Sequence, residues 1–274
     1  MPKADPTHAY AIQGGQPGKE RLDVLARALK PTTTRLLDCV GLVAGMKVLD
    51  VGCGGGHVAM LISGMVGPQG QVTATDTDAE ILALARQDAA AAKILNIEFQ
   101  QVDACTCEWQ EQFDLVYARF LLSHLAEPES CLAAMVQACA PRGTVCIEDT
   151  DFAGSFCYPI CAAYDRYKEL YQKLVQRRGG DSNVGPKLPG LLRRAGVESV
   201  ELNVIQPAHV RGEGKQMAPL TMSRISGALV AEALATKHEV QQILTELNRV
   251  AADSETLISL PRIFQVWGKR NEIH

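Results

Sequence analysis

The segment Val48–Met60, VLDVGCGGGHVAM, most constrains the fold of this chain. A short apolar run leads into a glycine-rich turn, and an apolar helical pattern follows directly, which is typical of a strand, a tight turn and a helix. Turns of this kind hold anionic or nucleotide-like ligands against the N-terminus of the helix. The segment therefore predicts an α/β protein with a ligand site at the end of this strand.

The same order of strand and helix recurs along the first two thirds of the chain. Strand-like runs such as QVTATD, FDLVYARF and GTVCIEDTD alternate with helical stretches such as DAEILALARQDAAAAKIL. This alternation implies right-handed crossovers and a parallel sheet. Because the strand-like runs are continuously apolar, we expect helices on both faces. The pattern favours a doubly wound α/β fold.

Two stretches depart from this alternation, and a further helical stretch precedes it. Residues 152–186 and 206–258 are largely helical and follow the fifth and sixth strands, so we expect helical insertions that form a cover over the sheet. Residues 1–40 predict an N-terminal helical cap, with two helices broken at Pro31. Residues 41–151 would form the cofactor-binding core. Since no repeat or low-complexity linker is present, one domain over the whole chain is the simplest interpretation.

Composition excludes several classes of protein. The formal net charge is -4 without a basic stripe, so nucleic acid is not expected as a partner. Apolar runs are too short to span a membrane, and the N-terminus lacks the apolar core of a signal peptide, so we expect a cytoplasmic protein. Nine cysteines occur without a CxxC pair, which favours structural thiols and no metal site.

The glycine turn fails two tests for phosphate ligands. A P-loop needs Lys followed by Ser or Thr after its last glycine, and His57 and Val58 stand there instead. The dinucleotide fingerprint needs a third glycine at the position of His57. A nicotinamide-dependent oxidoreductase is therefore a less favoured alternative.

Three carboxylates narrow the choice of ligand. Asp50, Asp76 and Asp103 each stand at the end of one of the first three strands. Ligands of open α/β sheets bind at the carboxyl ends of the strands, so the three acids should line one crevice. Asp50 would repel a pyrophosphate, whereas a ligand with a cationic amine, a ribose diol and an adenine amine suits all three. S-adenosylmethionine is such a ligand.

The ordered motifs VLDVGCGGG, TATD, VDA and FDLVYARFLLSHL resemble those of class I S-adenosylmethionine-dependent methyltransferases. The resemblance is strongest over residues 40–150, and it is closest to the small-molecule branch that contains ubiquinone and menaquinone biosynthesis enzymes. It implies a seven-stranded Rossmann-like sheet whose last strand, RIFQVWGKR, is antiparallel. It also implies S-adenosylmethionine as cofactor and a small molecule as methyl acceptor, with oxygen, nitrogen and carbon acceptors left open.

The resemblance also assigns cofactor-binding roles by position. The methionine end would be held at Asp50, Gly52 and Gly54, with Gly56 shaping the turn. The ribose and adenine, and the region of the transferred methyl group, would be contacted by Asp76, Thr77, Asp103, Ala104 and Arg119. A protein that binds the cofactor without methylating, or a cyclase on the same fold, stays an alternative.

Acceptor residues are expected outside these motifs. His124 follows the fourth strand at the expected mouth of the site, and its ordinary pKa near neutrality suits a general base. An alternative is that SHLAEP is only a helical turn. Candidates for an acceptor pocket combine aromatic, apolar and acidic side chains: Tyr10, Glu148, Asp151, Tyr164, Tyr167 and Met222. Core packing for the tyrosines and a solvated strand end for the acids are the alternatives.

Overall fold

The computed structural model describes residues 15–103, 105–106 and 108–271. Its strands, numbered along the chain, are β1 (Lys47–Val51), β2 (Gln71–Asp76), β3 (Ile97–Gln101), β4 (Phe113–Arg119), β5 (Cys139–Asp151), β6 (Cys157–Tyr158), β7 (Val197–Ile205), β8 (Ala208–His209), β9 (Leu257–Ser259) and β10 (Arg262–Arg270). Its α-helices are α1 (Gly15–Cys39), α2 (His57–Val66), α3 (Ala79–Ala91), α4 (Pro128–Ala138), α5 (Ala162–Arg177), α6 (Leu188–Arg194), α7 (Met217–Ala231) and α8 (Lys237–Ala252).

The main sheet has seven strands in the order β3-β2-β1-β4-β5-β10-β7. Neighbours from β3 to β5 pair in parallel, and β10 runs antiparallel to both β5 and β7. The predicted seven-stranded sheet with an antiparallel last strand is therefore confirmed. The strand order reverses at β1, between β2 and β4, which is where open α/β sheets form their ligand crevice.

Helices cover both faces of this sheet, as the continuous apolar strands predict. On one face, Val48 and Tyr117 pack with Ile62 of α2 and Leu37 of α1. On the other face, side chains of β1, β4 and β5 pack with α4 and α6. Alternate residues of a strand face opposite sides of the sheet, so neither face has room for charge unless it is paired. The crevice at the strand ends is therefore the natural place for polar groups.

The N-terminal region forms one helix, and the prediction of two helices broken at Pro31 is wrong. Helix α1 continues through Pro31 to Cys39. An interior proline costs about 3 kcal/mol because a backbone hydrogen bond is lost and the ring clashes. Here Leu29 and Leu37, on either side of the proline, are both fully buried, so tertiary packing holds the two halves together.

The two insertions come together as one unit, called here the cover: residues 152–186 and 206–258, together with β9. Helices α5, α7 and α8 share an apolar core. A small antiparallel sheet in the order β6-β9-β8 joins them. The sequence did not predict this sheet, because strands of two or three residues are too short to display an alternating pattern.

Candidate active site

A cavity of about 630 Å³ lies at the carboxyl ends of β1, β2 and β4. Its lining comes from three parts of the chain: helix α1, the glycine turn with the strand ends, and the cover. The side near the glycine turn, called the donor wall, is rich in carboxylates. The side formed by the cover, called the acceptor wall, is rich in tyrosine.

The glycine turn needs its glycines for two reasons. Gly52, Gly54 and Gly56 have φ angles of 69°, 50° and 73°, a region that side chains rarely adopt. A Cβ atom at Gly56 would also stand 3.0 Å from the ring of Phe99. Gly52 and Gly54 line the cavity. Gly56 faces α3 and β3 instead, so its part is to shape the turn.

Asp50 is a buried carboxylate with one oxygen to which no described residue donates. Its side chain is 2% exposed, and no described residue donates a hydrogen bond to its Oδ2 atom. Burial is the main reason that the pKa of Asp50 is raised to about 7; the charge of Arg119 opposes the rise and that of Asp76 adds to it. A buried carboxylate oxygen without a partner costs free energy, which a cationic ligand in the cavity would recover.

Asp76 joins the end of β2 to the glycine turn. Its Oδ2 accepts a hydrogen bond from the Gly54 N–H at 2.9 Å, and its Oδ1 accepts one from the Asp78 N–H at 3.0 Å. The cap of α3 is Asp78, which accepts from the N–H groups of Glu80 and Ile81. A carboxylate has about four acceptor positions, so Asp76 keeps capacity for a ligand.

The remaining predicted donor residues are close by. Thr77 and Asp103 line the cavity, and Asp103 Oδ1 also accepts from the Cys105 N–H at 2.9 Å. Ala104 lies outside the described residues, as does Tyr10. Arg119 lines the cavity beside Asp50, and its Nη1 donates to Thr33 of α1 at 3.2 Å.

The acceptor wall is an aromatic surface. Phe152 stacks on Tyr171 with ring centroids 4.1 Å apart, and Tyr164 meets Tyr167 edge to face at 5.9 Å. The Tyr164 hydroxyl donates to the Ser259 carbonyl at 3.0 Å. Four aromatic rings, all of which line the cavity, thus offer flat apolar surface with polar tips.

With this geometry in place, the chain can be compared with known proteins. A family model described as a methyltransferase domain matches residues 42–248, which include both the donor wall and much of the cover. The chain belongs to this methyltransferase family.

Its relatives fit this assignment. The ubiquinone/menaquinone biosynthesis C-methyltransferase of Serratia proteamaculans is 29% identical over 133 residues, which cover 48% of this chain. The chain spans about half the length of that relative, 52%. The counterparts from Yersinia enterocolitica and Yersinia pestis match to the same extent.

Solved structures share the fold at low identity. A Bacillus halodurans protein classed as a methyltransferase has a TM-score of 0.61 at 19% identity, covering 87% of this chain and 98% of its own. A Haemonchus contortus phosphoethanolamine N-methyltransferase complex with S-adenosylhomocysteine has a TM-score of 0.56 at 15% identity, covering 88% and 53%. The [4+2]-cyclase SpnF has a TM-score of 0.51 at 18% identity, covering 86% and 80%.

Three of the predicted acceptor residues do not reach the cavity, and those predictions are wrong. Met222 is fully buried inside the cover, among the apolar side chains that join its helices. Glu148 is also fully buried, where it accepts from Thr33 at 2.9 Å, from Gln265 at 2.8 Å and from the Tyr117 hydroxyl.

Asp151 is paired with Arg262 Nη2 at 2.6 Å, near the end of the sheet. The reason for both acidic errors is the same. Strand β5 continues through Asp151, so Glu148 lies within the sheet and faces α1. A carboxylate in that position must find its partners among buried side chains.

His124 and the tyrosines lie where the sequence predicts, although their roles stay predictions. His124 ends a short 3-10 turn after β4, and it lines the cavity beside Tyr164 and Tyr167. Burial and, to a smaller extent, the charge of Arg21 together lower the pKa of His124 to about 3. The imidazole is therefore neutral at physiological pH and is a weak proton acceptor.

Sequence reasoning missed the closure of the donor wall by α1. His57 Nε2 lies 2.7 Å from Asp23 Oδ1, and Lys19 bridges Asp23 at 3.6 Å to Asp88 of α3 at 2.8 Å. These contacts lay α1 across the glycine turn. His57 entered the sequence argument only as a missing glycine, and no local pattern links it to a residue 34 positions earlier.

Two further observations concern membrane-spanning helices and metal sites among the described residues. None of the helices described is both long and apolar enough to cross a bilayer. Across residues 15–103, 105–106 and 108–271, histidine, cysteine and carboxylate side chains form no group of three that could hold a metal ion.

Proposed function

We propose that this protein transfers the methyl group of S-adenosylmethionine to a small-molecule acceptor. The observation that carries the proposal is the buried Oδ2 atom of Asp50 beside the glycine turn, to which no described residue donates a hydrogen bond. Arg119 lies close enough to Asp50 for its positive charge to lower the pKa of that carboxyl. That pair matches the zwitterionic amino-acid end of the donor, an ammonium for Asp50 and a carboxylate for Arg119.

The rest of the donor wall suits the nucleoside. Gly52 and Gly54 let the backbone approach the ligand closely, because neither carries a Cβ atom into the cavity. Asp76 and Thr77 would accept from and donate to the ribose hydroxyls. Asp103, with the neighbouring Ala104 backbone, would bind the adenine amine. None of these groups is a cation that would favour a pyrophosphate.

The chemistry needs alignment more than it needs a nucleophile on the protein. S-adenosylmethionine supplies a methyl group that its sulfonium charge already activates. The donor wall would hold S-adenosylmethionine and the acceptor wall the acceptor, so the two walls would supply proximity and orientation. The cavity volume, about 630 Å³, lies within the range of roughly 300–1,000 Å³ that is usual for small-molecule sites.

The division of the chain follows from this arrangement. We propose that residues 41–151 bind the donor, and that residues 152–186 and 206–258 cover the acceptor. Residues 1–40 would close the donor side through α1. His124 is the candidate proton acceptor at the cavity wall, but its low pKa makes it weak. An acceptor that is already ionised would therefore react best.

Calorimetry with S-adenosylhomocysteine and with NAD tests the donor. Micromolar binding of the first and none of the second is expected. Binding of NAD without binding of S-adenosylhomocysteine would instead indicate an oxidoreductase. Incubation with S-adenosylmethionine and acceptor mixtures, followed by mass analysis, tests transfer. A protein that binds the donor tightly but methylates none of a broad set of phenols, carboxylates and amines would instead be a binding protein or cyclase.

A further inference from the structure

Arg21 is a cation in the cavity wall that no described carboxylate neutralises. Its Nε donates to the Thr221 hydroxyl of α7 at 2.9 Å, and no described Asp or Glu lies within salt-bridge distance of it. Two other cations of the same helix are paired, Lys19 with Asp88 at 2.8 Å and Arg27 with Glu213 at 2.7 Å. A half-buried guanidinium without a counter-ion is a group that a ligand anion would stabilise.

The charge of Arg21 faces the acceptor wall. Its bond to Thr221 ties it to the cover rather than to the glycine turn. Two acceptor-wall groups feel its charge: burial lowers the pKa of His124 and raises that of Tyr167 to about 12, and Arg21 lowers both. The acids of the cavity, in contrast, stand at the strand ends of the donor wall.

The donor already has a complementary cation. Arg119 stands beside Asp50, and together they match the carboxylate and the ammonium of the donor. Arg21 is therefore available to bind the methyl acceptor. Thr221 fixes the guanidinium through Nε, and no described residue accepts a hydrogen bond from either Nη group. The two Nη groups can therefore form the planar fork that binds two oxygens at once.

We propose that Arg21 determines acceptor specificity by binding an oxyanion, a carboxylate or a phenolate, on a planar acceptor whose ring lies against the tyrosines. This inference rests on the proposed function and adds the chemical class of the acceptor. It fits the weak basicity of His124, because an acceptor bound as the anion needs no strong base.

Matched pairs of small probes test the charge. Benzoate is compared with benzamide, and para-nitrophenolate with para-nitroanisole, by calorimetry on protein saturated with S-adenosylhomocysteine. We expect at least one anion to bind about 10- to 100-fold more tightly than its neutral partner, the range of charge-assisted hydrogen bonds. The arm that shows the preference distinguishes a carboxylate from a phenolate.

Substitutions then assign the preference. Arg21→Met should remove it while the neutral probes bind as before, which also reports an intact fold. Arg21→Lys should retain part of it, since the charge stays and the planar fork is lost. Arg27→Met, on the same helix but exposed and outside the cavity, is the matched control and should change nothing.

A second comparison excludes the donor as the ligand of Arg21. S-adenosylhomocysteine should bind more tightly than methylthioadenosine, which lacks the amino-acid end, and Arg119→Met should remove that advantage. If Arg21→Met removes it instead, Arg21 serves the donor and the proposal is overturned. Equal binding of anions and neutral partners by the wild type, or binding of neither anion, also overturns it.

Failure of the proposed function would look different. A protein that binds no S-adenosylhomocysteine contradicts the donor assignment, and the same probes can then be titrated into the free protein. In that titration, tighter binding of the anionic probes that is lost in Arg21→Met would still support the role of Arg21.

Discussion

The donor wall and the acceptor wall of the cavity are built in opposite ways. The donor wall uses short motifs, each of which joins a strand end to the turn that follows it, and its functional groups are charged. The acceptor wall combines residues of α5, α7 and β9 with Phe152, and its groups are mostly aromatic. The comparison teaches that the carboxylates of the cavity come from local motifs, whereas its aromatic surface depends on long-range packing.

The largest expected effect tests the charge of the donor wall. Asp50→Asn should weaken S-adenosylhomocysteine binding, because truncating one partner of a buried charge pair typically costs about 2–5 kcal/mol, roughly 30- to 5,000-fold. Calorimetry measures it. Asp114→Asn is the control, since that carboxylate accepts from the Lys47 N–H at the other end of the sheet. An unchanged affinity in Asp50→Asn would show that Asp50 does not bind the donor.

The pH dependence of stability probes the same carboxyl. Its pKa is raised from 3.8 to about 7 in the folded protein, so the protonated form is favoured by folding. The contribution is fully present below about pH 4 and is lost as the pH rises through 7. Integrated over that shift, the wild type should lose about 4 kcal/mol relative to Asp50→Asn between pH 4 and pH 8.

Urea unfolding of both proteins across this pH range gives the difference directly. Saturating S-adenosylhomocysteine should reduce it, because its ammonium would pair with the ionised carboxylate. Parallel curves for the two proteins at every pH would mean that Asp50 is solvated or paired.

A smaller effect separates ligand binding from capping at the end of β2. Asp76→Ala should weaken S-adenosylhomocysteine at least about tenfold, because hydrogen bonds to a charged acceptor contribute roughly 1.5–3 kcal/mol each. Asp78→Ala, which removes the cap of α3, should cost about 1 kcal/mol of stability with the donor affinity retained. If the two variants behave alike, Asp76 serves only to join β2 to the glycine turn.

The smallest effect should fall on the acceptor wall. Tyr164→Phe removes the hydrogen bond to the buried Ser259 carbonyl and should lower the unfolding free energy by about 1 kcal/mol. Donor affinity should stay within about twofold, since the hydroxyl donates to Ser259 of β9 and not to a donor-wall residue. Thermal unfolding and calorimetry measure the two. A large loss of donor affinity would contradict the separation of the two walls, because it would show that the acceptor wall also supports donor binding.

Much of the fold could be predicted from the chain. The parallel strands follow from patterns of a few residues, whereas the antiparallel last strand was implied by the family resemblance. Local signals also explain two errors. Pro31 is a strong helix breaker by itself, but Leu29 and Leu37 hold α1 together through contacts that no local pattern contains. Glu148 was grouped with the acids of a solvated strand end, whereas it stands three residues before the end of β5 and faces Thr33 of α1.

The sequence by itself determined the donor wall, because Asp50, Gly52, Gly54 and Asp76 are placed by one strand–turn–helix unit and its neighbour, whose geometry follows from short-range sterics. Only the tertiary structure decided which residues of α1 and the cover face the donor wall. The approach of Asp23 to His57 and of Arg21 to Thr221 joins residues 34 and 200 positions apart. Such contacts form when apolar helix faces are buried together, and which polar groups then meet depends on the final packing of the whole chain.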